Sequence, residues 1–97
     1  MATSPQRDSY HKTLSELGPR QHEVYVEISQ SFRGLSAWEL ADKLGRLVHA
    51  VRPRIVELKD KGVVRESGER WEPRTQRNEA IWVACRPEDN GQLGLGI

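Results

Sequence analysis

Apolar side chains recur at helical spacing through the first two-thirds of the chain. Residues 9–17 form the first predicted helix, with Leu14 and Leu17 on its inward side, and the Gly-Pro pair that follows ends it. Residues 1–8, which carry no such pattern, are expected to be disordered. Pro19 is well placed to open the next helix, since its fixed φ suits a first helical position.

The second predicted helix runs from Pro19 to about residue 32. Its apolar residues follow the i, i+1, i+4, i+8 spacing of one buried face. These residues are Val24, Tyr25, Ile28 and Phe32. Residues 33–35 interrupt the pattern, and a few residues of strand fit there.

Two shorter helices come next. Ser36 and Glu39 have the three-residue spacing of a capping box, which predicts a helix that Gly45 ends. Its inward residues are Ala37, Leu40, Ala41 and Leu44. The helix after it is expected at roughly 49–61, with Val51, Ile55 and Leu58 inward and Gly62 as its stop.

Beyond Gly62 the pattern changes to that of strands. Residues 63–67 and 79–84 are rich in β-branched and aromatic side chains, with a long, Arg-rich loop at 68–78 between them. Helices followed by such a hairpin predict an α+β winged helix-turn-helix, with three helices and a two- or three-stranded wing. We expect this domain to span residues 9–85 and to precede a flexible tail at 86–97.

The charge of the chain is unevenly distributed. The net charge is only +1, yet residues 43–78 hold ten Lys or Arg and five Asp or Glu, a balance of +5. Residues 18–42 and 79–97 each come to −2. One basic segment in a chain that is otherwise not basic is the pattern expected of a surface that contacts phosphate.

The sequence resembles the winged-helix DNA-binding family, in particular its MarR-like bacterial and phage members. Three features carry the resemblance: LADKLG at 40–45, IVELKDKGVVRESG at 55–68, and the Arg-rich loop before AIWVA at 80–84. It covers residues 19–84. It implies that the helix at 49–61 enters a DNA major groove while the hairpin touches the neighbouring backbone or minor groove.

The resemblance also assigns roles to individual side chains. The first turns of the helix at 49–61 would meet base edges through His49, Ala50, Arg52, Pro53 and Arg54. Phosphate contacts would come from Arg46, Arg70, Arg74 and Arg77. Two alternatives remain open: Arg52 and Arg54 form a solvated face with Glu57 as neighbour, or the winged fold binds protein rather than DNA.

Pro53 departs from the family pattern, since a proline inside a helix removes a backbone donor. If His49 or Ala50 caps the helix, Pro53 lies within its first turn or just after it, and little hydrogen bonding is lost. If the helix begins near Leu47, Pro53 kinks it. We expect the late start.

The segment GQLGLGI at 91–97 resembles the bacterial sliding-clamp-binding peptide, Gln-Leu-x-Leu-x-Leu. The resemblance implies that Gln92 enters a small polar subsite of the clamp, flanked by Leu93, while Leu95 and Ile97 fill its hydrophobic cleft. Ile97 replaces the usual final Leu or Phe. The alternatives are a tail that packs on its own domain or on a second subunit, and a tail without function.

The remaining chemistry is sparse. One cysteine, Cys85, excludes an internal disulfide, and the three histidines show no metal-ligand spacing. We expect no enzyme, no cofactor, no metal and no membrane association. The sequence predicts a cytoplasmic protein of bacterial or phage origin that binds double-stranded DNA and the sliding clamp during replication. The alternatives are a dimeric transcriptional repressor and a protein-interaction module that inhibits a host factor.

Overall fold

The computed structural model describes residues 5–85 of the chain, with side chains from Tyr10 onward. This part is α+β, as predicted. Its four helices are α1 (Pro5–Ser15), α2 (Pro19–Gln30), α3 (Ala37–Leu44) and α4 (Val48–Asp60). Its three strands are β1 (Leu35–Ser36), β2 (Val64–Glu72) and β3 (Arg77–Ala84), which form an antiparallel sheet in the order β1-β3-β2.

Helix α1 starts earlier than the sequence predicted. Residues 5–8, expected to be disordered, form its first turns, because Pro5 suits the first position of a helix. The Tyr10 hydroxyl hydrogen-bonds the Tyr25 hydroxyl at 2.6 Å and donates to the backbone carbonyl of Cys85. Helix α1 is thereby fastened to α2 and to the residue that follows β3.

Helix α2 begins at Pro19 as predicted but ends at Gln30. Ser31 leaves the helical region of backbone space, with φ −99° and ψ 111°. The predicted buried position of Phe32 is therefore wrong: its side chain is 98 % exposed, because the helical face that it would have continued no longer exists. Val24 and Ile28 are buried as expected.

Helix α3 carries the predicted capping box. The Ser36 Oγ accepts from the Glu39 backbone N–H at 3.2 Å, and the Glu39 Oε1 accepts from the Ser36 backbone N–H at 2.9 Å. The helix ends at Gly45, whose φ of 66° is left-handed. Both predicted helix limits are confirmed.

Helix α4 contradicts the expected late start. Leu47 is its N-cap, so Pro53 is the sixth helical residue and lies inside the helix. Because proline has no N–H, the carbonyl of His49 lacks the donor that a helix normally supplies four residues later. Its inward residues were predicted correctly: Val51, Ile55 and Leu58 are buried together with Val24, Ile28, Leu35, Leu40, Val63 and Val64.

The hairpin is more regular than predicted. Most of the expected loop at 68–78 is strand, and only residues 73–76 form the turn. The pairing of β2 with β3 shifts between Glu66 and Glu69, where Ser67 and Gly68 form a bulge. Gly68 has a φ of 85°, the conformation a glycine accepts without a steric cost. A bulge of this kind bends the outer half of a hairpin.

Strand β1 is held against β3 by a close approach of backbone. Leu35 lies opposite Trp82, and Ser36 lies opposite Ile81. Gly34 precedes them with a φ of 82°, and a Cβ on it would lie 2.5 Å from Ile81 Cγ2. Only glycine fits this position.

Within residues 5–85, no helix is both long enough and apolar enough to span a bilayer.

Candidate nucleic-acid interface

The outer face of α4 is opposite its core face and is open to solvent. Its first two turns expose His49, Ala50, Arg52 and Pro53, which are four of the five residues predicted to meet base edges. The fifth, Arg54, is half-buried. Val56, one turn further along, is 54 % exposed, so this face is only partly polar.

Arg54, on α4, lines a cleft together with Arg20 and Glu23 of α2. It pairs with Glu57 on its own helix, Nη2 to Oε2 at 2.9 Å, and its Nε is buried without a hydrogen-bond partner among the described residues. Glu57 is thus a neighbour of this arginine, but the side chain is half-buried and does not belong to a fully solvated face. Its i,i+3 ion pair turns the guanidinium along the helix.

Arg46, in the turn before α4, pairs with Glu23 of α2. Its Nε and Nη2 donate to the two carboxylate oxygens of Glu23, the second bond measuring 3.1 Å. A two-point arginine–carboxylate pair fixes the plane of the guanidinium. Arg46 therefore joins the start of α4 to α2.

Arg70, in β2, reaches across to α3. Its Nη1 lies 2.6 and 2.8 Å from the two carboxylate oxygens of Glu39, the residue that also completes the cap of α3. Its Nη2 is 3.4 Å from the backbone carbonyl of Arg33. The outer half of the hairpin is thus tied to the start of α3, and Arg70 remains 40 % exposed.

Arg74, in the hairpin turn, has the densest set of contacts. Its Nε donates to Glu72 at 2.7 Å, its Nη1 donates to Asp42 at 3.0 Å, and its guanidinium carbon lies 4.9 Å from the centre of the Trp38 ring. These hydrogen bonds lower the pKa of both Asp42 and Glu72 and raise the pKa of Arg74. Trp38 itself is half-buried.

Arg52 joins α4 to β3. Its Nη2 lies 3.3 Å from Glu79 Oε1, and Glu79 Oε2 accepts from the Thr75 hydroxyl at 3.0 Å. Burial alone would raise the pKa of Glu79, but the hydrogen bonds from Thr75 and Arg52 outweigh it and lower that pKa. The Arg52 side chain is 48 % exposed, whereas that of Glu79 is 11 % exposed.

Arg77, the first residue of β3, is exposed and forms no ion pair within the described residues. Among the arginines predicted to contact DNA, it alone lacks an ion pair within residues 5–85, although its charge contributes to the lowered pKa of Glu79.

Folding thus pairs the basic segment with the acidic ones. Arg46, Arg70 and Arg74 bind carboxylates from residues 18–42, and Arg52 binds one from residues 79–97. The balance of +5 in residues 43–78 is largely cancelled in three dimensions. Sequence reasoning missed Glu79 and Thr75, because their link to Arg52 spans 27 positions and follows no local spacing.

Apolar side chains also reach the surface. Trp71 in β2 is 58 % exposed and Leu47 before α4 is 66 % exposed, in addition to Val56 and Phe32. The proposed clamp residues, Gln92, Leu93, Leu95 and Ile97, lie outside the described residues.

No protein-family model matches the chain, and no curated protein matches it significantly.

Proposed function

We propose that the chain is a winged helix-turn-helix protein that binds double-stranded DNA through the outer face of α4, with the β2–β3 hairpin as its wing. One observation carries the proposal: α4 buries Val51, Ile55 and Leu58 and exposes the opposite side of its first turns, next to the hairpin that Arg52 contacts. The order of elements and the strand order β1-β3-β2 suit this fold.

The charge pairs limit how this surface binds phosphate. Four arginines of the interface are open to solvent. The side chains of Arg52, Arg70 and Arg74 are each at least 40 % exposed, and Arg77 is an exposed residue. An arginine paired with a carboxylate still has free N–H donors that can bind a phosphate, but the negative charge of the carboxylate repels that phosphate. We therefore expect at most about four phosphate contacts, and a plot of log K against log salt with a slope no steeper than about −3.6.

Fluorescence anisotropy of a labelled duplex, measured from low to moderate salt, tests this. Affinity should fall with salt, and the Arg77→Ala variant, which loses a phosphate contact, should make the slope shallower by about one. Arg52→Ala, which loses a base contact, should weaken binding. The control is Lys12→Ala, which removes an exposed cation on α1 and should leave the slope unchanged. Binding that ignores salt, or slopes that are identical in all variants, would refute the proposal.

We propose further that residues 91–97 dock on the sliding clamp, as the resemblance of GQLGLGI implies. A tethered peptide and a DNA-binding domain reinforce each other through effective concentration, so neither contact needs to be tight. The test is a pull-down with a purified bacterial clamp. Retention should be lost on removal of residues 91–97 and in the Gln92→Ala, Leu95→Ala double variant, but not in the control Asn90→Ala. Equal retention of all forms would rule out the tether.

A winged-helix protein-interaction module that does not bind DNA is the second candidate. The exposed Phe32 and Trp71 and the paired arginines favour it, since aromatic side chains are enriched at protein interfaces. The anisotropy experiment distinguishes the two: the module predicts no duplex binding even at low salt.

A further inference from the structure

We infer that Glu79, held by Thr75, positions the Arg52 guanidinium to read a guanine, so that the wing controls sequence discrimination by α4. The inference rests on the proposed DNA-binding function. It assigns a role to two residues of the hairpin that need not touch a base themselves. Glu79 and Thr75 are positioning residues in this scheme, and Arg52 is the residue that contacts DNA.

Arg52 lines an apolar cleft between α3, α4 and β3, and the aliphatic stem is the part of its side chain that suits such a lining. Ala37, Ile55, Val56 and Trp82 line this cleft with it. Such a stem contributes packing while its charged end stays in water. The cleft therefore restricts the rotamers of Arg52 before any ligand arrives.

Glu79 fixes the charged end. It is nearly buried, and its two oxygens have different partners: Oε1 faces Arg52 and Oε2 accepts from Thr75. A guanidinium has five N–H donors in a rigid fork, and the pair with Glu79 uses one hydrogen of Nη2. The other Nη2 hydrogen and the Nη1 group remain for guanine O6 and N7, the two-point contact by which arginine recognises that base.

Thr75 in turn is fixed by the hairpin turn. Its backbone N–H donates to the Glu72 carbonyl at 3.2 Å, and the next residue, Gln76, has a φ of 54°. The tight turn thus fixes the position of the Thr75 hydroxyl, and the hydrogen bond from this hydroxyl fixes the orientation of the Glu79 carboxylate. A change at the hairpin turn reaches the guanidinium through two hydrogen bonds.

This arrangement favours discrimination over total affinity. A preorganised arginine holds its donors where guanine O6 and N7 lie and cannot turn to suit the acceptors of another base, so the correct base gains more than the wrong one. The negative charge of Glu79 meanwhile repels phosphates and weakens binding to any sequence. Removing that charge should therefore move the two quantities in opposite directions.

Two steps test the inference. Binding sites are first selected from a randomised duplex library. Anisotropy then measures affinity for the selected site and for a variant of it in which the guanine is replaced. The wild-type chain should select a guanine, and Glu79→Gln should reduce discrimination at that position about 10-fold. Its affinity for an unselected duplex should be equal or higher. Thr75→Val should show a smaller loss of the same kind, and in an Arg52→Ala background Glu79→Gln should change discrimination no further.

The charge-matched control is Glu69→Gln, an exposed carboxylate of β2 with no ion pair within the described residues; it should leave discrimination unchanged. Unchanged discrimination in Glu79→Gln, with intact binding, would overturn the inference and leave the proposed function standing. Equal losses for selected and unselected duplexes would overturn it too, since they would indicate a phosphate contact or a folding defect. A wild-type chain that retains no duplex would overturn both.

Discussion

The guanidinium carbon of Arg74 lies 4.9 Å from the centre of the Trp38 ring, so the hairpin turn stacks on the first turn of α3. The same guanidinium donates to Glu72 on its own hairpin and to Asp42 on α3. One side chain therefore contributes a cation–π contact and a two-carboxylate network, and the network fastens the β2–β3 hairpin to the helices.

Replacing Arg74 by Ala should lower the thermal unfolding midpoint, because Glu72 would be left nearly buried beside Asp42 without its cation. Arg74→Lys should recover only part of the loss, since lysine lacks the planar fork that bonds both carboxylates. Circular dichroism during heating measures the midpoint. Arg77→Ala, which removes an arginine three residues away that has no ion pair within the described residues, is the control. Equal midpoints for the two alanine variants would contradict the assignment.

Acid should weaken the fold through the same network. Arg74 holds the pKa of Asp42 below its ordinary 3.8 and that of Glu72 below its ordinary 4.5. A carboxyl whose pKa is lower in the folded state stabilises that state fully above its unfolded pKa and loses this contribution as pH falls through its folded pKa. Urea unfolding should therefore show stability falling below pH 4.5, and Arg74→Gln should flatten this fall. If the unfolding free energy of Arg74→Gln falls as steeply with pH as that of the wild type, other groups cause the acid sensitivity.

Ser36→Ala should destabilise the domain by about 1 kcal/mol, since it removes the acceptor for the Glu39 backbone N–H at the start of α3. Ser36 is 2 % exposed, so water cannot easily replace the hydroxyl. Urea unfolding gives the free energy. Ser67→Ala, at the exposed bulge of β2, is the matched control and should change it little.

Gly34→Ala and Gly68→Ala separate two costs that are usually measured together. Both glycines have a positive φ, 82° and 85°, but a Cβ meets neighbouring atoms only at Gly34. Gly68→Ala should cost about 1–2 kcal/mol for the backbone conformation alone, and Gly34→Ala should cost about 2–5 kcal/mol because overpacking is added. Similar losses of unfolding free energy in the two variants would show that β3 yields easily near Gly34.

Pro53→Ala should stabilise the domain by about 2–3 kcal/mol. A proline inside a helix costs about 3 kcal/mol relative to alanine, and the greater freedom of the unfolded alanine chain offsets up to about 1 kcal/mol of that gain. Val56→Ala, on the same exposed face, restores no backbone donor and is the control. A stability that does not rise would mean that α4 already accommodates the proline without strain.

Local signals in the sequence were enough for much of the fold. The Ser36–Glu39 box, the helix end at Gly45 and the Val51–Ile55–Leu58 face are each set by residues close together in the sequence, and the structure confirms all three. The prediction that Phe32 is buried was wrong because it assumed that α2 continues to residue 32, whereas the helix ends at Gln30. Periodicity alone does not show where a backbone leaves the helical region.

The candidate site was less predictable than the fold. The spacing along α4 predicted correctly that His49, Ala50, Arg52 and Pro53 turn outward, whereas Arg54 is half-buried. It gave no sign that most of the basic side chains would be paired. Arg70 with Glu39 and Arg52 with Glu79 meet only because the bulged hairpin returns over the helices. A segment's charge balance therefore describes a surface only after its long-range partners are known.

The short strand β1 also has a consequence for the order of folding. Strands β2 and β3 are adjacent in sequence and can pair early, whereas the pairing of Leu35 with Trp82 closes a loop that contains α3, α4 and β2. The sheet is completed only when those elements have already collapsed onto each other. The amide protons shared by β1 and β3 should thus exchange with solvent through unfolding of the whole domain, and those at the hairpin turn through local fraying.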